Sequence, residues 1–586
     1  MDCKLIKDPV HGYIRIPQDS MKKIVDTCEF QRLRNIRQTS YDSLYPGSSH
    51  NRFIHSLGVY HLGSKAFKAL KRNTENLLEL KDDLWKQLLN TFELACLLHD
   101  VGHMPFSHDG EDFLLISEED DVFCIMNPIA GQNQRPPVKT LYNDLLRVMK
   151  DKLSDIQYKD FLVDFASTVG GNNNLSTAKP HEIMSVIIAL KTYSGFLQEK
   201  DVEVDLFARA ILGIQYADNC EAKNAVCNAL IQLLNSSIID VDRLDYIIRD
   251  SQMSGLDSVS IDVERLLESV TIIHSPECEN YQFGFKKNAS SIIENVILAY
   301  DAERRWIQAH PVVIYDSFLV KKCLAAIDRT FKIKDSSQGV FQQDALSSEG
   351  ILTENGLRIR LLNDSDCLFL MKQLEQSEDN YFVKEYLSRN TRKQPIWKSE
   401  AEFDLILDQL SSDQRMVFLN IFCGIGEKKD VASIGDILNN ERLNELESEL
   451  RQIESDKVLS DEKRTNSAKA IKKQLFWLRK LQEYFKSNFD SDFDICNLKS
   501  KEFQSKIDDL ANGKMRIWFD SLRKSKRISK LQVVYTTNEH RQTQPNEGNR
   551  VLYWFIHKDK RFLVEKFVEF LQVIAREYEN EFQKGT

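Results

Sequence analysis

No run of apolar residues approaches the roughly 18 that a membrane-crossing helix needs, so no membrane partner is expected. The 11 cysteines stand singly, without a CxxC pair, and their number is odd, which argues against a disulfide framework. No signal-peptide pattern opens the chain, and a reduced, cytoplasmic setting is expected. Excess positive charge is also missing: 78 basic against 88 acidic residues leave a net charge of -10, which disfavours a general nucleic-acid coat. There is no internal repeat. At 586 residues the chain exceeds one ordinary domain and has ample material for a core, so two or three domains are expected.

What is present is mostly helical patterning with small strand-like runs. The opening DPVHGYIRI is punctuated by Pro and Gly and alternates through Tyr13, Ile14, Arg15 and Ile16, as a short strand does. Ile24, Val25, Cys28 and residues 33–36 recur at helical spacing, and residues 57–89 resume it. Polar segments at 119–140 and 168–180 read as surface excursions. Asp242, Asp245 and Arg249 fall at helical steps of three and four and share a face. Tyr281, Phe283 and Phe285 mark a strand, and a long helix then contains ERRWIQAH. Composition loosens at 335–350, a candidate boundary or mobile loop. Beyond about 390 the chain is charged and helical, with Leu443, Leu446, Leu450 and Ile453 striping one side as a helical hairpin requires. Near the end lie a basic cluster, Arg523, Lys524, Lys526, Arg527 and Lys530, and the strand-like runs LQVVYTT and VLYWFIH.

The stretch with chemical content is ELACLLHDVGHMPFSH. Four apolar or small residues, 95–98, imply a buried helix from which His99 and Asp100 emerge. A core histidine beside a hydrogen-bonded acid satisfies that placement, and so does a pair of ligands for Zn, Fe or Mn. His55 follows a basic loop and Asp242 lies far downstream, so only a fold gathers these groups.

The order H…HD…D, with DPVHGYIRI, FQRLRNIRQ, PGSSHNRFIHSLGV, LLHDVGHMPFSH and IDVDRLDYIIRD in sequence, resembles the HD-domain phosphohydrolase superfamily, and within it the deoxynucleoside triphosphate triphosphohydrolases. The resemblance covers roughly residues 7 to 390. It implies a mainly α fold: a helical HD core over 1–390 with small β elements, followed by a divergent α+β region at 391–586. It also implies His55, His99, Asp100 and Asp242 as ligands of a divalent metal (Fe, Mn or Zn, with Mg on substrate phosphates). That donor set leaves metal positions open for water and a phosphate oxygen.

Carried over in the same way, His103 and His108 lie around the phosphates, and His181 is a catalytic acid held by Glu111. Arg52, Arg243 and Arg305 are the candidate phosphate cations, with Arg243 standing where the family usually has Lys. Tyr246, Asp250 and Gln38 match sugar contacts. Thr39 stands where the family often has Leu against the sugar's 2′ position, which opens the question of ribose acceptance. Lys7, Asp26, Gln31 and Arg34 match a site for an activating nucleotide at a subunit interface, so a homo-oligomer is expected.

The expected activity is hydrolysis of nucleoside triphosphates, deoxynucleotides first, to nucleoside and triphosphate, in the service of nucleotide-pool control or antiviral defence. One rival keeps the metal site for a phosphodiesterase or phosphatase acting on cyclic, oligomeric or monophosphate nucleotides. Another is a nucleotide sensor or single-stranded nucleic-acid binder using the basic cluster near Trp518 and Phe519.

Overall fold

The computed structural model describes residues 2–582 apart from 40–42, 75–76, 116–137, 171–177, 219, 237–238, 257–259, 275–280, 375–380, 425–430, 433–436, 439, 457–459, 490–494, 500–515, 520–523 and 528–551. Arg523, Lys530, the LQVVYTT run and most of the two polar segments expected at the surface lie outside the described residues. The fold is mainly α-helical with small sheets, as expected. Among the described residues no helix is long and apolar enough to cross a membrane.

The chain opens with a hairpin of β1 (Cys3–Asp8) and β2 (Gly12–Pro17), paired antiparallel from Cys3 opposite Pro17 to Asp8 opposite Gly12. The helical spacing expected around Ile24 to Ile36 breaks into short turns of three kinds, Met21–Val25, Cys28–Gln31 and Arg32–Asn35. The pattern read across 57–89 is likewise two helices, α1 (Arg52–Thr74) and α2 (Asp82–Leu98), lying against each other. Asp82 and Asp83 sit in the first turn of α2, where the helix dipole favours acids. Leu94 to Leu98 are all buried, so the helix ends inside the protein.

Next come α3 (Pro180–Thr192), α4 (Val204–Leu212) and α5 (Val241–Ser254). Pro180 supplies a preset first-turn φ for α3. Asp240 caps α5, its side chain accepting from the Arg243 N–H at 2.6 Å, and Gly255 ends the helix at φ +73°. The strands β3 (Val270–Ile273) and β4 (Gln282–Lys286) form a second hairpin, followed by α6 (Ser290–Glu303) and α7 (Pro311–Thr330).

Residues 335–350 are neither a boundary nor loosely attached. Val340, Phe341, Ala345 and Leu346 are buried in the main core, because the apolar residues of this segment pack beneath its polar ones.

Farther on, α8 (Glu441–Ser455) and α9 (Asp461–Asn488) form a helical hairpin, with Leu446 buried and Leu443, Leu450 and Ile453 packed on the core. The chain then supplies β5 (Ile495–Lys499), β6 (Arg516–Phe519), β7 (Lys524–Arg527), β8 (Leu552–Ile556) and α10 (Leu563–Phe582). Among the described residues two large hydrophobic cores result, beside a small cluster of Ile307 and Val313. One runs from Ile14 to Val383 and takes in Ile517; the other gathers Trp397 to Tyr578. Helix α7 serves both, giving Ile314, Tyr315, Phe318 and Leu319 to the second and Val320 to Ile327 to the first. The late strand β6 pairs parallel with β4, Ile517 opposite Phe285, so the sheet order is β7-β6-β4-β3.

Candidate metal centre and histidine cluster

Four side chains from three helices converge at one point. His55 comes from α1, His99 and Asp100 from the end of α2, and Asp242 from the first turn of α5. The His55 Nε2 lies 2.9 Å from Asp242 Oδ1 and 3.5 Å from Asp100 Oδ2. The His99 Nε2 lies 3.5 Å from Asp100 Oδ1 and 3.6 Å from Asp242 Oδ1. Both imidazoles have their other nitrogen engaged: His55 Nδ1 faces Asp245 Oδ2 at 2.7 Å, and His99 Nδ1 faces the Cys96 carbonyl at 2.9 Å. Those partners only accept, so each Nδ1 is the donor, and in the neutral ring Nε2 carries a lone pair.

A lone pair facing carboxylate oxygens inside a protein is repulsive unless a cation stands between them. The buried Nε2 atoms of His55 and His99 indeed make no well-formed hydrogen bond. The donor set therefore fits a divalent metal, and His55, His99 and Asp242 alone place three ligand atoms within 4.8 Å of one another. Burial lowers the His55 pKa, but the adjacent carboxylates of Asp242 and Asp245 outweigh it and push it up to about 9. Burial likewise opposes ionisation of Asp242, yet His55 and His99 hold it well below the usual carboxylate range. The Asp242 side chain keeps 36% exposure, which is the open side of the group.

Beside these four side chains lies a cluster built on one carboxylate oxygen. Glu111 Oε1 is 2.8 Å from His108 Nδ1, 2.9 Å from His181 Nδ1 and 3.2 Å from His103 Nδ1. The rings of His103 and His181 stack at 4.0 Å and 14°. His103 Nε2 stands 3.2 Å from Asp100 Oδ1, which joins the two groups. Burial, then the charges of Arg52 and His181, drive the His103 pKa well down, because a second cation in this stack is unfavourable. Burial works against the Glu111 carboxylate, but His181 and His108 hold it well below its ordinary value.

The backbone that presents these groups is tightly specified. Arg32, buried, donates to the carbonyls of Val101 at 2.7 Å, His103 at 2.8 Å and Leu362 at 3.0 Å, and burial lowers its pKa to about 10. A Cβ on Gly102 would lie 2.3 Å from the Ser185 nitrogen, so only glycine lets the turn approach α3 and bring His103 against His181. Phe106 and Ser107 both take left-handed conformations, φ 59° and 53°. Asp364 accepts from the Phe106 N–H at 2.7 Å and the Arg37 N–H at 3.0 Å, which over-determines that turn.

The family model described as HD domain matches residues 52–128, the stretch that carries His55, His99, Asp100, His103, His108 and Glu111. Residues 52–128 are similar to an HD domain. An uncharacterised protein of Methanocaldococcus jannaschii is 24% identical over 420 residues, 71% of this chain and 63% of that protein. The protein named deoxynucleoside triphosphate triphosphohydrolase SAMHD1 homolog in Dictyostelium discoideum is 25% identical over 333 residues, 57% of this chain and 51% of its own length. The protein named deoxynucleoside triphosphate triphosphohydrolase SAMHD1 in Gallus gallus is 43% identical over 106 residues, 18% of this chain and 16% of its own. The match thus spans less than two thirds of each of these relatives.

Around these residues the expected substrate contacts are distributed unevenly. Arg52 is buried and already engaged, its Nη1 donating to Asp100 Oδ2 at 2.8 Å and its Nε to Ser107 Oγ at 3.0 Å. Arg243 donates through Nη2 to the Ser236 carbonyl at 3.3 Å and lies over the Tyr300 ring at 5.2 Å, while its buried Nε and Nη1 lack a well-formed hydrogen bond. Arg305 is not brought there: it is exposed, its guanidinium 5.3 Å from the Trp306 ring, because the helix turns widely at Arg304–Gln308. Arg304 takes that direction, donating to the Tyr300 hydroxyl at 3.2 Å.

Gln38 is buried, and neither its Oε1 nor the Thr39 hydroxyl has a hydrogen-bond partner among the described residues. Tyr246 is half-buried against the core, and Asp250 is paired with His50 Nε2 at 2.6 Å. Of the residues expected to bind an activating nucleotide, Arg34 donates to Gln31 Oε1 at 2.7 Å and lies over the Phe53 ring at 3.6 Å. Lys7 is exposed over Tyr13 at 4.5 Å, and Asp26 is exposed. Sequence reasoning assigned no role to Asp245, His11 or Asp364. Only Asp245 left a signal, its helical spacing from Asp242.

Proposed function

We propose that the chain is a metal-dependent hydrolase that converts deoxynucleoside triphosphates to deoxynucleoside and inorganic triphosphate. The observation that carries this reading is the convergence of His55, His99, Asp100 and Asp242 next to the His103, His181 and Glu111 cluster. The names of the Dictyostelium and Gallus relatives supply the substrate class. His55, His99, Asp100 and Asp242 would hold a divalent cation, which would supply Lewis-acid chemistry and a more acidic water for attack on phosphorus. The remaining work belongs to this chain's own groups. Glu111 fixes the Nδ1–H of His181 and leaves its Nε2 available to carry a proton to a leaving oxygen. Arg243, with Nε and Nη1 lacking well-formed partners, and Arg304 at Tyr300 supply cations for triphosphate oxygens. Arg52 holds Asp100 in place, a role that precedes any contact with phosphate.

The buried, unpartnered Thr39 hydroxyl beside Gln38 favours acceptance of ribonucleotides as well. An activating nucleotide and a homo-oligomer belong to the same proposal. The test is product analysis with the four dNTPs and four NTPs, singly and mixed, on metal-loaded protein. Nucleoside plus triphosphate is the expected outcome, and activity confined to mixtures reveals an activator. Orthophosphate, pyrophosphate or nucleoside monophosphate as the first product overturns the reading in favour of a phosphatase or phosphodiesterase.

A further inference from the structure

We infer that His11, at the turn of the N-terminal hairpin, is a positioning residue of the metal centre that acts through Asp245 on the ligand nitrogen of His55. The inference rests on the metal reading of His55, His99, Asp100 and Asp242. An imidazole ligand is aimed by the hydrogen bond at its other nitrogen, and that bond is only as fixed as the group accepting it. For His55 the acceptor is Asp245 Oδ2, at 2.7 Å. Asp245 is in turn gripped on both oxygens. Arg249 donates from Nε to Oδ2 and from Nη2 to Oδ1, both at 2.8 Å, and His11 Nε2 reaches Oδ1 at 2.6 Å.

The network closes on the hairpin turn that contains His11. Arg249 Nη1 donates to Asp8 Oδ2 at 2.9 Å, and Asp8 Oδ1 accepts the backbone N–H groups of Val10 at 2.9 Å and His11 at 2.7 Å. Asp8, Asp245 and Arg249 are buried, and the His11 side chain is 8% exposed. Helix α1 comes unusually near: a Cβ on Gly58 would lie 1.9 Å from Asp245 Oδ1 and 2.6 Å from Arg249 Nη2. Glycine there is what admits the network one turn from His55.

Holding the hairpin shut does not require the His11 imidazole. Asp8 already closes the turn through two backbone donors and ties it to α5 through Arg249. The imidazole touches instead the Asp245 oxygen that His55 does not use, where its N–H fixes the carboxylate plane. Loss of that donor leaves Oδ1 to the Arg249 fork alone, so the carboxylate tilts toward Arg249 and Oδ2 shifts relative to the His55 N–H.

The experiment is cobalt(II) binding to the full chain, with Kd from chelator competition and the visible d–d bands as a geometric readout. Wild type, Asp242→Ala, His11→Leu and His11→Gln are compared, with folding followed by circular dichroism. His11→Leu is expected to raise the cobalt Kd about ten- to a hundredfold and to alter the bands. His11→Gln, whose amide N–H reaches the same oxygen, is expected to restore most of both. A folded His11→Leu chain with wild-type Kd and bands, losing only thermal stability, assigns His11 a fold-holding role and overturns the inference. Should the leucine variant not fold, His11→Asn replaces it: its amide is one carbon too short, and cobalt affinity equal to that of His11→Gln overturns the inference as well. If wild type binds cobalt no more tightly than Asp242→Ala, the metal reading itself fails and this inference falls with it. If only the His11 variants match wild type, the metal reading stands alone.

Discussion

His61 lies on α1 with its ring 5.7 Å from that of His11, and burial, then the charges of Lys65 and His11, push its pKa down to about 4. As pH falls below about 6.5 the unfolded chain takes up a proton at this residue, whereas the folded chain does so only near 4. Stability is therefore lost on acidification across that window. The ring is only half-buried, and solvent screening holds the loss under about 2 kcal/mol. The variant His61→Gln is expected to gain on wild type as pH drops from 6.5 to 4.5, read as urea midpoints; parallel curves for the two proteins contradict it. At this scale the sequence was legible where chemistry is concentrated in a motif. His99, Asp100, His103, His108 and Glu111 share one short stretch, and the structure gathers them with His55, Asp242 and His181. It was less legible where one residue of register decides direction, as with Arg304 and Arg305. His11 went unassigned because DPVHG reads as a turn, and a turn gives no hint of what its side chain reaches 234 positions later.

Among the elements, the connection between α2 and the His108 turn depends on Asp364, the first residue of the helix Asp364–Leu374. Its carboxylate accepts two backbone N–H groups, of Phe106 and Arg37, and burial pushes its pKa up to about 6 despite them. Asp364→Ala leaves both donors unsatisfied, at about 1–3 kcal/mol each. Because Phe106 and Ser107 are held at positive φ by that bond, the loss is expected to reach Ser107, which positions Arg52, and so to lower both unfolding temperature and turnover. Unchanged turnover at a lowered unfolding temperature would contradict the link. The sign of the pH effect follows from the direction of the shift. A carboxyl raised from 3.8 to about 6 binds its proton more tightly when folded, so this residue's contribution declines as pH rises from about 4 to 6, by at most about 3 kcal/mol. Helices with strong local signals, such as the buried end of α2 and the capped α5, were legible in the sequence. The break between α1 and α2 was not, because apolar spacing continues across it while the helix does not.

For the molecule as a whole, the late chain is built into the early one. Helix α7 divides its face between two cores, and β6 extends the β3–β4 hairpin by parallel pairing. Such pairing over more than 200 residues has no local signature, so the sequence pointed to a divergent C-terminal region without showing that it lends a strand to the N-terminal sheet. Cutting the chain after residue 390 strips the cover from Ile314, Tyr315, Phe318 and Leu319, all buried in the second core, and removes β6. The truncated protein is expected to aggregate or bind a hydrophobic dye, measured by light scattering and dye fluorescence; a monodisperse, dye-free 1–390 fragment would show that the first core stands alone. In the proposed reading His55, His99, Asp100 and Asp242 form a metal centre on which hydrolysis depends. Its most direct test is the metal content of the purified full chain and of Asp242→Ala, determined by mass spectrometry alongside circular dichroism and nucleotide hydrolysis. About one tightly held transition-metal ion per wild-type chain is expected, with metal and hydrolysis lost together in a folded variant. A folded Asp242→Ala chain that keeps its metal and its turnover would contradict it.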